Sequence, residues 1–187
     1  MTPGDALRRL EGAHGVLRPL TLTDLDRLLA YRNHPDVIRY QSWDAYTAPT
    51  ALALIETMGS SAPGRPGTWF QWGIEERATG VLVGDCGLRT RDDGVQGEIG
   101  YTLAPEAQGR GLGTAAVTLM LDAAFGALGF HRVTARTDPA NTRSAALLRR
   151  LGFRHEGLSI ASVRIRGVWL DDDHYALLGT EWPARAR

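Results

Sequence analysis

Residues 104–114 read APEAQGRGLGT and run directly into the apolar stretch AAVTLMLDAAFGALGF, with glycines at 109, 111 and 113. Val117, Leu121, Phe125 and Leu128 recur at helical spacing, which predicts a helix from about 111 to 128 with these residues on its core face. Upstream, GEIGYTLA (97–104) reads as a strand. A strand that ends in a glycine-rich turn and opens a helix is suited to an anion. The first helical N–H groups have no internal partner, and the helix dipole is positive there. Glycine also lets the backbone approach a phosphate closely. Two familiar uses fail. A dinucleotide fingerprint G-x-G-x-x-G starting at 109 would need glycine at 114, where Thr114 stands, and a Walker loop needs a lysine. The chain has no lysine: all of its 21 basic residues are arginine. The remaining readings are another phosphate-bearing ligand or a glycine turn with none.

Outward from this loop the pattern is mixed. GVLRPL (15–20) has strand character, and TLTDLDRLLAYRNHP reads as a helix that Thr21 or Thr23 can cap, with Pro35 past its end. A second helix is expected near 48–58. Strands at 68–76 and 80–89 precede the one at 97–104, joined by short polar links that suggest an antiparallel meander. Beyond the glycine helix, HRVTARTD (131–138) reads as a strand and NTRSAALLRRLGF as a short helix, with Asn141 as N-cap and Gly152 as the helix-ending glycine. Two strands, roughly 153–165 and 168–178, follow. The fold class is α/β (α+β): a mixed, mostly antiparallel sheet of about seven strands flanked by helices. Residues 14–182 form one domain, between a loose N-terminus (1–13) and a C-terminal tail (183–187).

The composition is restrictive. The 187 residues balance 21 acidic against 21 basic side chains, so no global field points to nucleic acid or membrane. Asp122 interrupts the most apolar stretch, which argues against a membrane span. A lone cysteine, Cys86, excludes an internal disulfide and fits a reducing, cytoplasmic setting. Lying mid-strand without a local histidine, it reads as a small core residue. The histidines at 14, 34, 131, 155 and 174 make no metal-ligand spacing, so no metal is expected.

QGRGLG (108–113) matches the Q/R-x-x-G-x-G/A pattern of the GNAT acetyltransferase superfamily. EIGYTLAPEAQGRGLGTAA, then Asn141 and Ser144 as N-x-x-S, then LRRLGF (148–153) resemble its RimJ/RimL-type branch, as do the opening GVLRPLTLTDLDRLLAYRNHPDV and the closing GVWLDDDHYALLGTEW. The resemblance spans about residues 14–182. It implies the GNAT fold, splayed at the cofactor site, with acetyl-CoA as cosubstrate. On that resemblance the backbone of Gln108, Gly109, Arg110, Gly111, Leu112 and Gly113 holds the CoA diphosphate. Arg110 adds a charged contact or is simply solvated. The pantetheine arm runs along the strand of Tyr101 and Leu103, and Asn141 contacts that arm, caps its helix, or does both.

Acetyl transfer to an amine removes a proton from the amine, stabilises an oxyanion in a tetrahedral intermediate and protonates the departing thiolate. The resemblance makes Glu98 the candidate base, against the alternative of a structural strand residue; a backbone N–H near Tyr101 would serve the oxyanion. Ser144 shares a helix face with Leu147, Leu148 and Leu151, so its hydroxyl either bonds its own backbone or faces something polar. In RimL-like enzymes a serine here lies near the CoA sulfur. The chain departs from the wider superfamily at Leu148, where many members have a tyrosine acid, and at Arg136, where some have a glutamate base. Tyr175 is a reserve acid or a core residue.

For the acceptor, the sequence DDD (171–173) reads as part of the link between the last two strands and suits recruitment of a cationic amine, a turn, or solubility. Tyr40, Trp43 and Tyr46 line a pocket or pack in the core. The resemblance implies an amine-bearing partner: a protein or peptide N-terminus first, a small-molecule amine second. A non-catalytic acetyl-CoA sensor is the rival from another class. The assembly is a monomer or homodimer.

Overall fold

Alternation of buried side chains sets the central strands. The computed structural model describes residues 3–183, and in β3 (Trp69–Glu76) Phe70, Trp72 and Ile74 are all essentially buried. Its neighbour β4 (Leu82–Thr90) is buried almost throughout, because helices cover both faces there. With β1 (Leu10–Glu11), β2 (Gly15–Arg18), β5 (Gln96–Leu103), β6 (Arg132–Thr137), β7 (Arg154–Ile165) and β8 (Val168–Leu178) they form one eight-stranded sheet in the order β1-β2-β3-β4-β5-β6-β8-β7. Every neighbouring pair is antiparallel except β5 and β6. That parallel pair follows from the crossover between them, α5 (Leu112–Asp122) and its wider π-helical continuation Ala123–Ala127.

The two sheet faces have different covers. Along β5 the odd-numbered side chains meet α5 and α6 (Thr142–Arg150): Tyr101 reaches Ser144, and a Cβ on Gly113 would lie 2.9 Å from Leu103. The even-numbered ones face the other way, where Gln41 Nε2 donates to Thr102 Oγ1 at 3.2 Å. Asp85, the register partner of Thr102, shares that face and is bound by α2 (Leu25–Arg32). With α4 (Ala48–Ser60), α2 covers the β3–β4 half of this face and leaves the β6–β8 half open.

Three expectations are corrected. The segment read as loose holds α1 (Pro3–Ala6) and β1, the strand that takes the sheet past seven. It is anchored because Trp72 Nε1 donates to the Leu7 carbonyl at 3.0 Å, while Arg8 donates to the carbonyls of Met58 and Gly59 in the last turn of α4 and of Ser61, its C-cap. Met1, Thr2 and residues 184–187 of the expected tail lie outside the described residues. The helix expected over 21–35 is instead a 3-10 turn (Leu22–Asp24), α2, and a short α3 (Pro35–Ile38) that begins at the proline expected to follow it. Thr21 and Asp24 cap the first turn reciprocally.

The third correction concerns the acidic triplet, which lies inside β8 and not in the link before it. The link is the tight turn at Arg166–Gly167. β8 pairs with β6 only from Asp173 onward, so the rest of the β7–β8 hairpin projects as a two-stranded ribbon, marginal by itself. Arg166 secures its tip by donating to the carbonyls of Ile38, Gln41 and Trp43, and it pairs with Asp44 at 3.3 Å.

Candidate active site

The β5–β6 ladder stops early. Its last register pair is Ile99 with Ala135, although β5 runs on to Leu103 and β6 to Thr137. The β6-facing edge of Gly100–Leu103 therefore lacks a strand partner, and a slot opens between the two strands. Strand polar groups left in this state seek a partner with amides of its own.

The glycine loop lies just beyond the open end. Gly109 and Gly111 take φ values of 74° and 79°, the left-handed region, and a Cβ at either would meet only open space. Among the described residues none of the amides from Gly109 through Thr114 has a hydrogen-bond partner, whereas the Gln108 amide is spent on the Pro105 carbonyl. Successive free N–H groups at a helix start make a concave anion cradle. Gly113 has a different duty: its missing Cβ lets α5 sit against Leu103 and Leu147. The Gln108 side chain braces the loop, donating through Nε2 to the Leu103 carbonyl at 3.1 Å and accepting from Arg143 at 2.9 Å. Arg110 is half-exposed and ion-paired to Glu76. Leu112 is buried as the first helical residue. This arrangement fits a diphosphate.

On the odd face beside the slot, the Tyr101 hydroxyl and Ser144 Oγ share a hydrogen bond of 2.8 Å. Burial pushes the Tyr101 phenol up to about 12, with the Ser144 hydrogen bond opposing it and Tyr175 adding to it, so both hydroxyls carry their protons at neutral pH. Asn141 caps α6, its Oδ1 accepting from the Ser144 amide at 3.2 Å. Of the two alternatives for the Ser144 hydroxyl, a polar partner is what the structure places there, and that partner is a tyrosine from β5.

On the even face, Glu98 is nearly buried and accepts from Arg136 Nε at 3.1 Å. Both of Arg136's contacts to Glu98 fall on Oε1, and among the described residues no donor reaches Oε2. Arg136 Nη1 also approaches Asp172 Oδ2 at 3.5 Å. Asp172 is buried, and burial raises its carboxyl above the ordinary value against the pull of Arg136 and His174. Glu98 and Arg136 line a cleft of about 430 Å³ walled further by Ser159, His174 and Leu158. No local sequence pattern pairs Arg136 or Asp172 with Glu98.

Other candidates have structural partners. Tyr175 borders the cleft but is itself buried, with its hydroxyl accepting from Arg149 at 3.2 Å and its ring packed 5.1 Å from His155, which makes it a core residue. Cys86 is fully buried, and burial pushes its thiol well above the ordinary range. Trp43 and Tyr46 do not line the cleft; their rings lie 4.9 and 4.4 Å from the buried guanidinium of Arg32. Tyr40 reaches the Ala140 carbonyl at 3.4 Å.

Comparisons with known proteins bear on the family and the fold. The family described as Acetyltransferase (GNAT) domain matches residues 15–154. An uncharacterized N-acetyltransferase, p20, of Bacillus licheniformis is 30% identical over 169 residues, covering 89% of this chain and 94% of its own. The ribosomal protein uS5-alanine N-acetyltransferase of Escherichia coli is 36% identical over 84 residues, 45% of this chain and 43% of its own. The spermidine N(1)-acetyltransferase of Escherichia coli is 28% identical over 161 residues, 86% and 84% of the two chains. Among solved structures, a GNAT-family acetyltransferase from Bacillus anthracis shares the fold with a TM-score of 0.83 at 21% identity, covering 92% of this chain and 99% of its own. Mycobacterium smegmatis RimJ in complex with CoA-disulfide aligns with a TM-score of 0.78 at 26% identity, covering 90% and 84%.

Proposed function

Because this chain belongs to the GNAT acetyltransferase family and is an acyltransferase, we propose that it moves an acetyl group from acetyl-CoA to a primary amine, the amine being the N-terminus of a peptide or protein. Acetyl-CoA supplies an acyl group on a good leaving thiolate. The chain's part is to hold that molecule, admit the amine and move two protons. The free amides from Gly109 through Thr114 would hold the diphosphate, with Arg110 able to add charge if it leaves Glu76. The open edge of Gly100–Leu103 would pair with the amide-bearing pantetheine arm.

The observation that carries the reading is the division of polar groups between the two sides of the slot. Glu98 stands on the even face and the Tyr101–Ser144 hydroxyl pair on the odd face. Glu98 Oε2 would take the proton of an amine arriving through the open cleft. Ser144 Oγ would give its proton to the thiolate on the other side, with Tyr101 orienting it. The two proton transfers are thus assigned to different groups, a base for the amine and an acid for the thiolate.

A polypeptide acceptor is supported by two observations. The ribbon that walls the cleft exposes Leu158, Ile160, Val168 and Trp169, apolar surface for the residues that follow an N-terminal amine. The uS5-alanine enzyme is among the relatives. A small-molecule amine is the second reading, supported by the spermidine enzyme, which aligns over most of both chains.

The test is acetyl-CoA-dependent thiol release across N-terminal peptides, polyamines, aminoglycosides and free amino acids. Release with peptides is expected. Release with small amines alone would move the assignment to the second reading. Acetyl-CoA binding without release for any class would favour a sensor and overturn the proposal.

A further inference from the structure

We propose that Arg136 is an internal stand-in for the acceptor: its guanidinium occupies the place between Glu98 and Asp172 where the substrate's ammonium binds, and a cationic amine displaces it. The inference rests on the acetyl-transfer reading and names the charge state in which the acceptor is recognised.

Glu98 and Asp172 are only 9% and 7% exposed, yet Glu98 borders a cleft open to solvent and Asp172 stands just behind Arg136, which lines the same cleft. Two carboxylates so placed need a cation. Arg136 supplies it, but loosely. Its side chain is 51% exposed, both contacts to Glu98 fall on a single oxygen, and Asp172 is 3.5 Å away. A guanidinium built for permanent pairing with a carboxylate makes two parallel bonds, as Arg32 does with Asp85 at 2.9 and 2.7 Å. Arg136 instead spans the carboxylates without completing either fork, and its exposed side chain can swing into solvent. Gly100, one residue pair along β5 on the same face, leaves open space where a side chain would stand. A primary ammonium has three donors, enough to meet Glu98 and Asp172 together. A neutral or anionic acceptor would gain nothing from displacing Arg136.

The experiment compares wild type with Arg136→Ala, using a short peptide with a free N-terminal amine. With the competitor removed, the acceptor KM should fall about tenfold, the scale of one partly screened charge pair, while acetyl-CoA affinity stays within about twofold. Guanidinium chloride, balanced against sodium chloride at equal ionic strength, should then compete with the peptide in Arg136→Ala and raise its KM. If Arg136 only holds the site together, KM rises in the variant and guanidinium lowers it again, and the proposal is overturned. Arg136→Gln keeps most of the side-chain volume and answers the same question should the alanine variant fail to fold. Calorimetric binding of the same peptide, and of its N-acetylated form, to protein loaded with CoA separates this proposal from the catalytic one. Tighter binding of the free amine alone by the variant supports the stand-in even without turnover. Turnover with an unchanged or raised KM retains the transferase and removes the stand-in.

Discussion

Two arginine–carboxylate centres lie on the same face of the sheet and behave differently. Around Asp85, Arg32 donates twice, Tyr31 and Gln71 donate as well, and the side chains of Arg32 and Asp85 are 6% and 1% exposed. Trp43 and Tyr46 close over the guanidinium. Burial pushes the Tyr31 phenol well above its ordinary value, so it remains a donor. Around Arg136 the same groups are spread, half in solvent and incompletely bonded. The first centre fixes α2 to the sheet. The second can exchange its cation. Chemical type does not separate them; what covers them does.

Breaking the sealed centre should have the largest effect. Asp85→Ala leaves Arg32 charged and unpaired in the core and is expected to cost about 3–5 kcal/mol, read as a lowered urea midpoint. A loss within about 0.5 kcal/mol, the level of an ordinary surface substitution, would mean that the centre contributes little to holding the fold. The catalytic side should respond in rate and not in stability. Ser144→Ala removes the proposed proton donor beside Tyr101 and should lower kcat by about a hundredfold, with acetyl-CoA affinity nearly intact. An unchanged kcat would dismiss that role. The loop should respond in affinity. Gly111→Val forces a β-branched residue to a φ of 79° and places a side chain over the anion cradle. CoA binding should weaken by about tenfold because the side chain obstructs the cradle, while about 1–2 kcal/mol of backbone strain lowers the unfolding midpoint less than Asp85→Ala does.

The two halves of the site differed in how far the sequence revealed them. The proposed cofactor half is local. The loop, its helix start and the Asn141 cap are each specified by residues a few positions apart, so glycine spacing and capping chemistry expose them. Even there, the brace made by Gln108 depends on Leu103 and Arg143 coming together, which no local pattern states. The proposed acceptor half is assembled by register. Glu98 and Arg136 are 38 positions apart, and Arg136 and Asp172 are 36. They share a face only because β6 pairs with β5 and β8 in one particular alignment; a slip of one residue would turn each away. Aspartate is a poor strand former, so DDD reads locally as turn material, although the pairing of Asp172 with Ser159 puts it inside the ribbon. The usable signal was the alternation in HRVTARTD, which sets Arg132, Thr134 and Arg136 on one face opposite buried Val133 and Ala135. Local pattern likewise conceals β1, a strand of two residues whose segment is held through Leu7 by Trp72 and through Arg8 by the end of α4.

The central claim is that the open edge of β5 and the free amides of the glycine loop are the cofactor's seat. Amide-resolved hydrogen exchange with and without CoA tests it most directly. Protection should appear from Gly109 through Thr114 and at Tyr101 and Leu103, whose amides face the open edge, leaving the amides around Asp85 unchanged. CoA binding that protects other amides and leaves these two segments exchanging as before would contradict the account.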